Sequence, residues 1–360
     1  MVVNVAIVGV GLVGSEFIRQ VLSTNSNKIA VIAVANSRHF FTSQTPLTST
    51  WKTDLTSSAA AKPFTLDAFT ASLASSKSTN PTVVLDCTSN ESVAAYYPTW
   101  LQSGFHVVTP NKKAFSGDLG LYKKIKEIAN GAPGAPLVYH ESTVGAGLPV
   151  INTLNDLVNT GDKITKIEGI FSGTLSYIFN NFSTLDTSAE PVQFSKVVSV
   201  AKDLGYTEPD PRDDLNGMDV ARKVIILGRV AGLDLTQETV QVENIVPELL
   251  RGIASPDKFM ESLPDFDDHF AKLNKEAIEN GQVLRYVGLV DPVNGKSSVT
   301  LTRYPASHPF ASLKGSDNII AFTTERFPSP LIIQGSGAGA AVTAFGIYSD
   351  ILKIAERTQQ

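Results

Sequence analysis

The sequence predicts an α/β fold, with a doubly wound parallel sheet first and a second domain of α+β type after it. Three observations carry that expectation. Apolar runs of strand length, Val2 to Val8, Ile29 to Ala35, Thr82 to Leu85, Phe105 to Thr109 and Leu137 to Tyr139, are separated in part by helical patterns such as Leu119 to Ala129, which is the alternation of βαβ units. Beyond His140 this alternation stops. Finally, 360 residues are long for one compact core, so two domains, or one domain with a large insertion, are expected.

The first run ends in GVGLVG, with Gly9, Gly11 and Gly14, and is followed by Phe17, Ile18, Val21 and Leu22 at helical spacing. Between a strand and a helix this pattern is a dinucleotide turn of the Rossmann type. Gly9 permits the tight turn, Gly11 lets a pyrophosphate approach the backbone, and Gly14 lets helix and strand pack closely. Val10, Leu12 and Val13 supply backbone contacts. An ordinary packed turn is the competing account. The second strand ends in Asn36-Ser37-Arg38-His39, where an acidic residue on the ribose is expected. With no carboxylate to repel a 2′-phosphate and Arg38 able to attract one, NADP should be accepted at least as readily as NAD. Alternatively, Arg38 and His39 simply face solvent. The Ser, Thr and Ala-rich stretch from Thr42 to Ala61 reads as a surface excursion.

Glu141 to Pro149 is a glycine-rich joint, after which Val150 to Val158 turns helical. Ile164 to Phe171 reads as a strand and Ser172 to Phe179 as a turn into a helix. Pro256 to Gly281 is charged helical material of low information. Val283 to Val290, Ser298 to Arg303, Ile319 to Thr324 and Leu331 to Gln334 are strand-like, with Asn294-Gly295 as a hairpin turn. The glycines of Gly335 to Ala341 precede Ile347, Ile351, Ile354 and Ala355 on one helical face. They mark either a tight start to a packed final helix or a second wall of a cofactor cleft.

Charge is densest in GYTEPDPRDDLNGMDVARK, Gly205 to Lys223. Pro209 and Pro211 exclude a regular helix through the acids, and Asn216 reads as the N-cap of a helix carrying Asp219 and Lys223 on one face. A helix-start signature with an i,i+4 ion pair, worth about 0.2–0.5 kcal/mol, is the bland account. The apolar run Val224 to Leu227, however, takes this turn into a core, where a lysine can be tuned for proton transfer. A nicotinamide enzyme acting on a carbonyl needs such a donor, for which Lys223 is suited. Glu208 and Asp219 suit a substrate ammonium, pointing to a small molecule with an amino group.

The net charge of −5 and a pI near 5.6 leave no basic footprint for nucleic acid. Cys87 is the single cysteine, which excludes an intrachain disulfide and a Cys-x-x-Cys centre and fits a reducing compartment. The amino terminus lacks a basic leader and no apolar stretch approaches ~20 residues, so a soluble, cytosolic protein without membrane partners is expected.

The segments NKKAF (Asn111 to Phe115), HESTVGAGLP (His140 to Pro149), GIFSGTLSYIF (Gly169 to Phe179) and Gly205 to Lys223 resemble the signatures of homoserine dehydrogenase across nearly the whole chain. SHPFASLKGSDN (Ser307 to Asn318) and GSGAGAAVTA (Gly335 to Ala344) are most similar to the short fungal, single-activity form. The resemblance implies reversible reduction of L-aspartate 4-semialdehyde to L-homoserine with NADPH or NADH, on the way to threonine, methionine and isoleucine. It makes Lys223 the acid/base residue, has Glu208 and Asp219 bind the amino acid portion, and sets Lys112 near nicotinamide and substrate, either acting on the substrate or ordering the cleft. Asp214 is counted with Glu208 and Asp219 in the substrate site, where it either positions Lys223 or completes the acidic turn. Thr88, Gly205 and Gly339 would line the cofactor cleft.

The resemblance further implies a monovalent cation, usually sodium, on Glu141 and backbone oxygens around Val144, Ala146 and Leu148. From the residues alone this segment is a hinge. His308 resembles a histidine linked to pH response, or is a capped loop histidine. The implied architecture is a dinucleotide-binding domain over 1–140 completed by 340–360, and a catalytic region over 141–339. The strands of 283–339 would pair subunits into a homodimer, which protects a sheet edge. No attached kinase or regulatory domain, and hence no threonine control through one, is expected. Two rivals stand beside this reading. A semialdehyde dehydrogenase using a cysteine thiolate would need Cys87 as nucleophile, although burial or cofactor contact suits that residue better. An NAD(P)-binding redox sensor without catalysis would need no Lys223.

Overall fold

The computed structural model describes residues 2–24, 27–56, 59, 61–75, 78–186 and 192–358. The chain divides into two compact units, Met1–Pro149 with Ala338–Gln360, and Val150–Gly337.

The first unit is built on the strands β1 (Val3–Val8), β2 (Ile29–Ala35), β3 (His39–Thr42), β4 (Lys62–Pro63), β5 (Thr82–Asp86), β6 (His106–Val108) and β7 (Val138–Tyr139). Their order in the sheet is β4-β3-β2-β1-β5-β6-β7. The five strands from β2 to β7 in that order run parallel. Every residue of β1 and β2 is buried, which is why these strands read as unbroken apolar runs rather than alternating ones. Their core takes Phe17, Ile18 and Val21 from the helix Leu12–Thr24 and Ile347, Ile351 and Ile354 from the helix Ala340–Arg357.

Two features of this unit depart from the sequence reading. Beyond β2 the sheet continues as an antiparallel ribbon, β3 on β2 and β4 on β3. The stretch read as a surface excursion holds the helix Trp51–Thr56, and Leu47, Trp51 and Leu55 are buried in the core. Their spacing of four was the available signal, masked by the Ser and Thr around it.

The second unit carries β8 (Ile164–Ile170), β9 (Gln241–Val242), β10 (Gln282–Asp291), β11 (Lys296–Pro305), β12 (Asp317–Thr324) and β13 (Leu331–Ser336), ordered β13-β12-β8-β10-β11-β9. The pairings are antiparallel except for the short β9, which runs parallel to β11. Gly295, at φ +62°, closes the β10–β11 hairpin. The residues 256–281 contribute more than charge: buried Asp267 accepts hydrogen bonds from Ser195 N (2.8 Å) and Oγ (2.6 Å), and Phe270 stacks on Phe194 at 3.8 Å. Among the described residues no helix is long and apolar enough to cross a membrane.

Candidate functional site

In the first unit, β1 feeds the glycine turn. Gly9 has φ +95° and its N–H donates to Ala35 O at 2.9 Å. A Cβ on Gly14 would lie 2.2 Å from Gly9 O, and one on Gly9 would lie 2.7 Å from Thr88 Cγ2, so both positions are closed to side chains by packing. Gly11 is different: a Cβ there would meet nothing within 4 Å. The crest of the turn is open, as a phosphate lying against backbone amides requires, and Val10, Leu12 and Val13 flank it at the start of the helix Leu12–Thr24. Past β2, Asn36 Oδ1 accepts from the amides of Arg38 and His39 at 2.8 Å each, which fixes the loop while the Arg38 side chain stays exposed.

A buried polar network that sequence reasoning missed braces the next strand ends. Asp86, the last residue of β5, accepts from Thr88 N (2.7 Å), Tyr97 OH (2.5 Å) and Asn111 Nδ2 (2.9 Å). Burial outweighs these bonds and raises its carboxyl above the usual range. The network fixes the backbone at Thr88 and at Asn111, whose Oδ1 accepts from Lys113 N at 3.0 Å, so the intervening Lys112 is held at the start of the short helix Lys113–Ser116. An acid closing a run as apolar as VVL was its sequence signal. Burial, with the Asp86 charge adding, pushes the Cys87 thiol well up, which disfavours a thiolate nucleophile.

Glu141 to Ala146 is buried. Gly145 (φ +76°) and Ala146 (φ +54°) are left-handed, Ala146 alone among the described non-glycine residues. The Glu141 amide donates to Asp350 Oδ2 at 2.9 Å. Burial pushes the Asp350 carboxyl up to about 6, against the pull of Lys353. Glycines on both partners allow close packing: a Cβ on Gly147 would lie 2.4 Å from Val342 O, and one on Gly346 would lie 2.8 Å from Ala146 O. Thus the final helix packs against this segment through Gly147 and Gly346, whereas a Cβ on Gly339, its N-cap, would meet only Val342 Cγ2 at 3.9 Å. A buried carboxylate beside a twisted, carbonyl-bearing turn is an all-oxygen donor set, which fits a hard monovalent cation. No group of three or more His, Cys, Asp or Glu side chains suited to a metal occurs among the described residues.

The second unit holds Gly205, Glu208, Asp214, Asp219 and Lys223. The helix Met218–Val230 lies close on its sheet because glycines let it: a Cβ on Gly288 would come within 2.6 Å of Val224 Cγ2 and 2.8 Å of the Phe171 ring. Lys223 is buried, and its Nζ donates to Phe171 O at 2.6 Å and pairs with Asp219 Oδ2 at 2.8 Å. Gly217, at φ +77°, is the N-cap of this helix, in place of the expected Asn216, whose Oδ1 accepts from Met218 N at 2.8 Å. The chain must turn left-handed there, and a Cβ would lie 2.0 Å from Tyr286 OH.

Asp214 accepts from Glu208 N (2.8 Å) and Thr174 Oγ1 (2.9 Å). Burial, with the charges of Glu208 and Asp219 adding, pushes its carboxyl up to about 6. Glu208 is exposed, and Gly205 turns the chain at φ +73° with open space around it. Asp210 and Arg212 pair with each other at 2.6 Å, and Arg212 also donates to Ile253 O, so part of the charge that marked this segment is structural. His308 N-caps the turn Pro309–Ser312 and lies 4.3 Å from the Tyr304 ring, and burial lowers its imidazole.

A glycine crest opening a helix in a parallel sheet, and a buried lysine held between a carboxylate and a carbonyl, are the means of moving a hydride and a proton. They place the chain among the NAD(P)-dependent oxidoreductases. Residues 149–352 match the family described as Homoserine dehydrogenase, and residues 9–135 match Homoserine dehydrogenase, NAD binding domain. The chain belongs to the homoserine dehydrogenase family. It is 48% identical over 362 residues to Homoserine dehydrogenase of Saccharomyces cerevisiae, covering 99% of each chain. It is 47% identical over 370 residues to that of Paracoccidioides brasiliensis, covering 99% of this chain and 98% of the relative. A crystal structure of a Candida auris protein of unknown function is 48% identical, with a TM-score of 0.91 and 98% of each chain covered.

Proposed function

We propose that the chain catalyses the reversible reduction of L-aspartate 4-semialdehyde to L-homoserine, with Lys223 as the proton-transfer residue. When bound, the nicotinamide dinucleotide supplies the hydride. The observation that carries the assignment is the fixed position of Lys223 Nζ, 2.8 Å from Asp219 Oδ2 and 2.6 Å from Phe171 O. As an ammonium it donates a proton to the developing alkoxide, and as an amine it takes the hydroxyl proton in reverse. Glu208 and Asp219 bind the substrate ammonium, with Asp214 bracing the Glu208 backbone. Lys112 orders the nicotinamide. Gly9 to Gly14, Thr88 and Gly339 shape the dinucleotide site, and Arg38 takes a 2′-phosphate.

Substrate choice tests this reading. Aspartate semialdehyde should be reduced with homoserine as the product, whereas succinic semialdehyde, which lacks the amino group, should be turned over far more slowly. Equal rates for the two would remove the ammonium subsite.

Glu141, with the carbonyls of Val144, Ala146 and Leu148, holds a monovalent cation, sodium by preference. Exchanging sodium for choline should then lower the melting temperature of the parent but not of Glu141→Gln. The second sheet pairs subunits into a homodimer through the region of β13, an edge strand whose Ile332 is 39% exposed. Sedimentation showing a monomer at working concentration would contradict this. Cell fractionation checks the expected cytosolic location.

A further inference from the structure

Phe171 O, which receives the Lys223 ammonium, has a second donor: Asn318 Nδ2 lies 3.2 Å away. Asn318, on β12, is 0% exposed, and its Oδ1 has no hydrogen-bond partner among the described residues. A buried acceptor in that condition is costly and is usually kept for a reason other than stability. The carboxamide is also clamped. A Cβ on Gly337, just after β13, would lie 2.0 Å from Asn318 Nδ2 and 2.2 Å from Cγ, so only glycine allows the chain to close over it. The carbonyl itself sits where β8 passes into the helix Gly173–Phe182, one residue before the N-cap Ser172.

We propose that Asn318 is a positioning residue for the reaction, and that its carboxamide orients Phe171 O and through it the Lys223 ammonium. This rests on the assignment of Lys223 as the proton-transfer residue. Two donors on one carbonyl fix the direction of its lone pairs, and a carbonyl fixed in that way sets the orientation in which Nζ is held. Among the described residues Lys223 pairs with Asp219 on its own helix, the charges of Asp219 and Glu208 act on Asp214 of the acidic segment, and Tyr286 of β10 abuts Gly217 at the start of the helix. Of the further elements against this helix, β11 carries Arg303, paired with Glu276 at 2.7 Å, and the helix Val150–Asn159 carries the exposed Asp156.

The test compares Asn318→Ala and Asn318→Asp with the parent in the reductive direction across pH. Asn318→Ala should lower kcat roughly tenfold with KM nearly unchanged, the mark of an interaction used in the transition state. In Asn318→Asp the protonated acid donates to Phe171 O as the carboxamide did, whereas the carboxylate repels it. Its kcat should therefore recover toward the parent as pH falls, through an ionisation that the parent and Asn318→Ala lack. Parent-like kcat in both variants, or equal losses in both at every pH, would overturn the inference. If Asn318→Ala does not fold, Gly337→Ala displaces the same carboxamide without changing its chemistry and should show the same fall in kcat. Parent-like kcat there would also overturn it. Failure of the underlying assignment is separately visible, because Lys223→Ala would then stay active.

Discussion

Replacing Asp214 by Asn removes a titrating group while leaving its hydrogen bonds satisfiable. The carboxylate accepts from Glu208 N at 2.8 Å and from Thr174 Oγ1 at 2.9 Å. In the variant the amide oxygen faces Glu208 N and the amide nitrogen donates to Thr174 Oγ1, whose own proton turns to Tyr206 O at 2.6 Å. Burial holds the native carboxyl at about 6, above its ordinary 3.8. The folded state therefore keeps this proton to higher pH than the unfolded chain does. The resulting stability is fully present below about pH 4 and is lost as pH rises through about 6. The gap corresponds to about 3 kcal/mol, and screening of this partly exposed side chain reduces the expected effect to about 1–2 kcal/mol. Chemical denaturation at pH 3.5 and 7.5 measures it. The Asp350 carboxyl, also at about 6, titrates equally in both proteins and cancels. The parent should lose about 1–2 kcal/mol more than Asp214→Asn between the two pH values, and parallel losses would mean that the Asp214 carboxyl does not titrate in this range.

Two substitutions in the glycine turn separate packing from ligand approach. Gly14→Ala forces a Cβ to within 2.2 Å of Gly9 O and should cost about 1–3 kcal/mol of stability along with dinucleotide binding. Gly11→Ala meets only open space, so its melting temperature should stay parental while NADPH affinity, read by fluorescence titration, falls. Arg38→Ala should weaken NADPH roughly tenfold, about 1.4 kcal/mol, and NADH far less. Equal losses for both cofactors would return Arg38 to the role of a solvated surface residue.

The parallel strands of the first unit were legible because a strand covered on both faces is a continuous apolar run, and β1, β2 and β5 lie within a residue of their expected limits. The ribbon β3–β4 was not, since a two-residue strand such as Lys62–Pro63 is defined by what it pairs with. Lys223 and Asp219 were legible as a helical i,i+4 pair. Their most informative partner, the Phe171 carbonyl, is a backbone atom 52 residues away and has no side-chain signature. Asn318 and Asp86 were missed for a related reason: each is a polar residue at the boundary of an apolar strand, and only packing shows that it is enclosed. Conversely, Asp210 and Arg212 added to the charge density that marked this segment, because density does not distinguish charges facing a ligand from charges facing each other.

Lys223 is proposed to carry the proton both when this chain oxidises homoserine and when it reduces the aldehyde. Nicotinamide absorbance with homoserine and NADP or NAD, in the parent and in a folded Lys223→Ala variant, tests it most directly. Turnover is expected in the parent, with a fall in kcat of at least about 100-fold in the folded variant, in line with loss of a general acid/base. An inactive parent that still binds the dinucleotide, or a variant that remains active, would contradict it.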